Sequence, residues 1–118
     1  MATDAPLTVE RKEGSRPGTR ILVLEGPLTL RNMFDLQADL RTQPYPELSI
    51  LDLSGVPYMD SAGMGLIVNH FTQSQSAGKK MVAVGVCSRV LELFKITKVD
   101  TVVPRAETSE AAEAGVFC

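Results

Sequence analysis

The sequence predicts a mixed α/β fold, a largely parallel central sheet flanked by helices, and three observations predict it. Short apolar runs recur along the 118 residues, each bounded by Gly, Pro or Ser turn chemistry. Between them lie stretches in which apolar residues repeat at three- and four-residue spacing, the period of a helix. Strands that alternate with helices of this length need crossover connections, and crossovers make neighbouring strands parallel. A hydrophobic content of 44% is enough for one core, so residues 1–118 are expected to be a single domain.

Met1–Pro6 reads as a flexible polar lead-in. Leu7 and Val9 alternate with Thr8 and Glu10 as in a half-buried strand, and Gly14–Gly18 is a turn. Arg20–Glu25 contains the run Ile21–Leu24 and suits a strand buried on both faces, so the first two strands form a hairpin. From about Leu30 to Arg41, Met33, Leu36 and Leu40 fall at helical spacing, and Pro44 and Pro46 stop that helix. Leu48–Leu53 is the third strand, followed by Ser54–Pro57 as a turn. Met64, Ile67, Val68 and Phe71 mark one face of a second helix that Gly78 ends. Met81–Val86 is the fourth strand. Val90, Leu91 and Phe94 mark a helix that either Cys87 or Ser88 can cap, and Val102-Val103 before Pro104 reads as a last short strand. Ala111–Ala114 closes the series as a helix, giving the order β-β-α-β-α-β-α-β-α.

Charge and composition exclude several function classes. Twelve Lys and Arg against 14 Asp and Glu give a net charge of −2, with no basic run to neutralise a row of phosphates, so nucleic acid is not an expected partner. The runs Ile21–Leu24 and Met81–Val86 are far below the roughly 20 residues of a spanning helix, and the N-terminus lacks a basic-then-apolar leader. No membrane insertion and a cytoplasmic location are expected. Cys87 and Cys118 lie far apart and are expected to be reduced thiols.

The chemistry concentrates in Leu51–Gly65, LDLSGVPYMDSAGMG, where a buried strand meets a helix whose first turn carries Asp60, Ser61, Gly63 and Gly65. A helix N-terminus exposes unpaired N–H groups and the positive end of the macrodipole, so a serine there can carry an added phosphate. The plainer reading makes Asp60 or Ser61 an N-cap, and on physics alone it leads, because Ser and Asp are the preferred caps. Each glycine lowers helix propensity by about 1 kcal/mol, which makes sense if something approaches the backbone closely. At least one of them is expected on the exposed, partner-facing side, Gly63 more than Gly65.

The segment DLSGVPYMDSAGMG resembles the signature of STAS domains in anti-sigma factor antagonists: an apolar strand, a turn, an aromatic, then D-S-(S/A)-G-(L/M)-G opening a helix. The resemblance runs in register through Leu66–Phe71, Met81–Val86, Val90–Phe94 and Lys98–Val103. It implies a STAS-type sheet and a phosphoacceptor serine, here Ser61, modified by a partner that is both anti-sigma factor and kinase. A serine phosphatase later removes the phosphate. It also implies a partner-binding surface of Asp60, Ser61, Gly63, Met64, Gly65 and Thr29. Thr29 departs from the family pattern, which has G-E-L-D where this chain reads Gly26-Pro27-Leu28-Thr29. A hydroxyl cannot hold a partner's Arg or Lys through charge. Ala62 leaves Ser61 as the only hydroxyl of the D-S-A-G-M-G core.

Other candidates fare worse. His70, the single histidine, sits mid-helix with no Ser or Cys partner assignable by spacing, and takes no role. Asp52 and Asp60 flank a turn, but the acidic pair that a receiver-type Mg²⁺ site places after the first strand is missing. No Walker loop, G-x-G-x-x-G, C-x-x-C or H-E-x-x-H occurs, so no cofactor, metal or catalytic residue is expected. Three functions remain in contention. The leading one is a non-enzymatic regulator that binds the anti-sigma factor kinase when unmodified and is switched off at Ser61. A non-phosphorylated STAS scaffold or accessory subunit of a stress or lipid-transport complex comes second, and a nucleotide-binding module third. The oligomeric state stays open.

Overall fold

The computed structural model describes residues 6–42 and 44–118, and of Asp35 the backbone alone. Residues 1–5 of the expected flexible lead-in lie outside the described residues. Strand β1 (Thr8–Glu13) and β2 (Thr19–Glu25) pair antiparallel as the expected hairpin, with Val9 opposite Leu24 and Glu13 opposite Arg20. Helix α1 (Phe34–Arg41), β3 (Leu48–Gly55), α2 (Ser61–Ser76), β4 (Lys80–Val84), α3 (Ser88–Ile96), β5 (Arg105–Ala106) and α4 (Ser109–Glu113) follow. The element order is the one expected, with a short 3₁₀ turn at Val99–Thr101 added before β5.

The sheet order is β1-β2-β3-β4-β5, and every pair beyond the opening hairpin is parallel. Strands that advance in one direction across a sheet through right-handed crossovers carry their helices on one face. The strand residues obey that layering with a period of two. Leu22, Leu24, Leu51, Leu53, Met81 and Ala83 point into the main core against Leu36, Ile67, Val90 and Phe94 of the three crossover helices. Ile21, Ile50, Val82, Val84 and Ala106 point the other way, where α4 covers them through Ala112.

Several boundaries differ from the sequence expectation, α4 among them, which starts at Ser109 rather than Ala111. The first helix begins at Phe34 rather than near Leu30, because Asn32 closes a turn: its Oδ1 accepts from Thr29 N at 2.7 Å and its Nδ2 donates to the Pro27 carbonyl. Leu30 is left 57% exposed. Ser54 and Gly55 belong to β3 rather than to a turn, because Gly55 pairs with Glu25 across a bulge in β2–β3. β4 ends at Val84, two residues early, where Gly85 takes φ +69°. Val102-Val103 is not a strand. Val102 N–H and Val103 N–H both donate to the Val99 carbonyl, and the ladder to β4 starts only at Pro104, which lacks a donor but accepts from Ala83 N at 3.0 Å.

Candidate functional site

Ser61 stands where the C-terminal end of β3 turns into α2, at the end of the loop 56–60. That loop lies against the connection from β2 to α1. Leu28 N donates to the Tyr58 carbonyl at 3.1 Å, and Asp60 N donates to the Leu28 carbonyl at 3.2 Å, a one-residue parallel bridge between Leu28 and Met59. Leu28 is fully buried, so its hydrogen bonds and its side chain anchor both connections to the core.

Asp60 is the N-cap of α2. Its Oδ1 accepts from Gly63 N at 2.9 Å and its Oδ2 from Leu30 N at 3.0 Å, so one carboxylate closes the helix start and ties the neighbouring connection to it. The capping role left open between Asp60 and Ser61 therefore falls to Asp60. Ser61 is exposed in the first turn of a 16-residue helix that carries no Asp, Glu, Lys or Arg. Gly65 and Asn69, one and two turns on, are exposed on the same side.

One of the two glycines is exposed as expected, but it is Gly65 and not Gly63. Gly63 is buried, and a Cβ there would stand 2.4 Å from the Leu28 carbonyl oxygen; Gly65 has nothing within 4 Å of its Cβ position. Gly63 is thus the glycine that lets α2 pack against the Leu28 backbone. Met64 is also buried, at 4% exposure, within the main core. Of the six residues expected to face a partner, Gly63 and Met64 lie inside, while Asp60, Ser61, Gly65 and the half-buried Thr29 reach the surface of this region. Thr29 Oγ1 donates to Asn32 Oδ1 at 3.3 Å, which spends its hydroxyl proton locally.

Two contacts that sequence reasoning missed tie the loop to the start of α3. Cys87, at the N-cap position of α3, makes no capping bond; its Sγ donates to the carbonyls of Val56 at 3.5 Å and Pro57 at 3.7 Å. The Arg89 guanidinium carbon lies 5.1 Å from the centre of the Tyr58 ring. No periodicity signals either contact, since both join segments about thirty residues apart.

His70 is 3% exposed and faces the core rather than the solvent. Its Nε2 is 3.3 Å from Ser49 Oγ, and the Tyr45 ring meets it edge-on at 6.3 Å. Burial, reinforced by the nearby Arg20 charge, lowers its pKa to about 4. A Ser–His contact of this kind cannot act as a hydrolytic pair, because both groups are sealed from substrate and the imidazole is too weak a base at neutral pH. Asp52 lies on the α4 side of the sheet, its Oδ1 accepting from Ser54 N at 3.0 Å and from Ser54 Oγ at 2.6 Å, remote from the helix start that Asp60 caps.

Comparison with known proteins places these features. Residues 12–112 match the model of the STAS domain family. Over 53 residues the chain is 34% identical to the anti-sigma-B factor antagonist of Listeria monocytogenes, a stretch that is 45% of this chain and 46% of that protein. The match therefore spans about half the length of the curated relative. The crystal structure of an anti-sigma factor antagonist from Mycobacterium paratuberculosis superposes with a TM-score of 0.78 at 20% identity, over 98% of this chain and 97% of that one. The anti-sigma factor antagonist SpoIIAA in its unphosphorylated form superposes with a TM-score of 0.77 at 20% identity, over 92% and 96% of the two chains. Both speak for the fold.

Proposed function

The chain belongs to the STAS domain family, and from that premise we propose that it is an anti-sigma factor antagonist switched by phosphorylation of Ser61. Unmodified, it binds an anti-sigma factor that is also a serine kinase, and so frees a sigma factor. Phosphorylation ends that complex, and a serine phosphatase restores it. The observation that carries the reading is the exposed Ser61 hydroxyl, one residue past the Asp60 cap on an otherwise uncharged helix. The Listeria relative bears the anti-sigma-B factor antagonist name, and SpoIIAA is a structure specified as unphosphorylated, which support it.

The mechanism is electrostatic. A phosphate brings a charge of about −1.5 to −2 into the interface beside the Asp60 carboxylate, whose two oxygens are committed to Gly63 and Leu30 and cannot turn away. Every 1.4 kcal/mol of repulsion and desolvation cost weakens the complex about tenfold. On this reading the domain catalyses nothing, acts in the cytoplasm, and leaves phosphoryl transfer to its partners.

A second reading is favoured by Thr29, which offers a partner neither a carboxylate nor an unspent hydroxyl proton: a STAS scaffold or accessory subunit without phosphorylation. One experiment separates the two. The purified protein is incubated with ATP and the anti-sigma factor kinase encoded nearest to it, then assayed by mass spectrometry and size-exclusion chromatography. The switch requires one phosphate, on Ser61, and loss of the complex; an unmodified Ser61 in a persisting complex would leave the scaffold reading standing.

A further inference from the structure

The loop that ends at Ser61 carries a contact that the mechanism above does not use, the stack of Arg89 on Tyr58. Arg89 is exposed and Tyr58 half-buried. The start of α3 is held to the same loop by Cys87, whose Sγ donates to the Val56 and Pro57 carbonyls, so the backbone beneath Arg89 stays beside the segment that ends in Ser61. Tyr58 precedes Ser61 by three residues, which span at most about 11 Å even when extended.

A phosphate on Ser61 enters a site short of positive charge. Helix α2 contributes no Lys or Arg. Two of its first-turn donors are already engaged, Gly63 N with Asp60 Oδ1 and Met64 N with the Asp60 carbonyl. Asp60 remains in place because its second oxygen holds Leu30 N. A dianion next to a fixed carboxylate draws in whatever cation a neighbouring segment can supply. The segments flanking the loop offer two arginines, Arg31 beside Leu30 and Arg89 on α3. Among the described residues Arg89 is held by one cation–π contact, which is weaker than the bidentate, charge-assisted pair a guanidinium makes with phosphate.

We infer that Arg89 is the counter-ion of phosphorylated Ser61: on modification its guanidinium leaves the Tyr58 ring, pairs with the phosphate and bares the ring. This rests on the reading of Ser61 as the modified residue, and it makes phosphorylation alter the partner surface at two points, the charge at Ser61 and the uncovered Tyr58. The test installs phosphoserine at position 61 during translation, so the sample depends on no kinase. Followed by phosphorus NMR, the second phosphate pKa, ordinarily about 6, is expected to lie roughly half a unit or more lower than in the Arg89→Gln protein. The Tyr58 ring resonances are expected to move on phosphorylation when Arg89 is present and to stay when it is Gln. Arg31→Gln is expected to leave the phosphate titration in place. Equal titrations with and without Arg89, or a shift that follows Arg31 instead, overturn the inference. A kinase that leaves Ser61 unmodified strikes the functional reading, while the translated phosphoserine protein still decides the role of Arg89.

Discussion

Asp60 and Ser61 divide the work at the head of α2: one builds the turn, the other is free to be changed. Asp60 serves two segments at once, through Gly63 N and Leu30 N. Asp60→Ala should therefore cost more than the loss of a simple cap, about 1–3 kcal/mol in urea unfolding, whereas Asp60→Asn keeps an acceptor and should cost less. Equal unfolding midpoints for Asp60→Ala and the parent protein would refute the double role. Ser61 has no such structural duty. Ser61→Ala and Ser61→Asp should both fold, with midpoints within about 1 kcal/mol of the parent, since surface changes away from special features are small. Their binding to the anti-sigma factor kinase should diverge: Ala binding as the unmodified protein does, Asp at least tenfold more weakly by calorimetry. Matching affinities would remove the electrostatic switch.

At the scale of the element, α2 shows how one helix assigns opposite roles to two glycines two residues apart. Gly65→Ala places its methyl in open space and should stabilise the protein by about 0.8–1 kcal/mol through helix propensity. Gly63→Ala drives its methyl against the Leu28 carbonyl, a backbone atom also holding Asp60 N, and should destabilise by about 1–3 kcal/mol despite the same gain in propensity. Thermal melts of the two variants should move in opposite directions, and a Gly63→Ala protein as stable as its parent would show that this packing is loose. Propensity was legible in the sequence; the Leu28 carbonyl was not, because the residues that meet at Gly63 lie 35 positions apart and share no periodic pattern. The last strand failed for a related reason. Val102-Val103 has the composition of a strand, but the tight turn to Val99 claims its donors first, and pairing waits for Arg105 and Ala106.

At the scale of the molecule, His70 couples α2 to β3 through Ser49, and burial with the Arg20 charge keeps it neutral. Its folded pKa of about 4 lies below the ordinary 6.5. The unfolded chain therefore binds more protons between these values, and stability is complete above about pH 6.5 and falls as pH drops toward 4. The slope within that window is about 1.4 kcal/mol per pH unit. The His70→Gln protein should lack this component, so the difference in unfolding free energy between it and the parent should narrow or reverse from pH 7 to pH 5. A constant difference across that range would place the imidazole in contact with solvent. Beneath α1 the same region holds the Arg11–Asp39 ion pair at 2.5 Å and an Arg20 whose buried Nε and Nη2 have no hydrogen-bond partner among the described residues. Burial lowers the Arg20 pKa, and only the charge of Asp39 offsets it.

From the sequence by itself came the order of the elements, the hairpin followed by parallel strands, the family resemblance and the position of Ser61 at a helix start. Each of these is written in local patterns: a period of two or of 3.6, a turn dipeptide, a contiguous motif. Which face His70 takes, which glycine is packed, how Asp60 divides its oxygens and where Arg89 rests were settled in the folded chain. These depend on segments that meet sideways across the sheet, Leu28 against the loop before α2 and α3 against Tyr58. Such meetings follow from strand register and helix packing, which bring distant residues together without leaving a repeat in the chain.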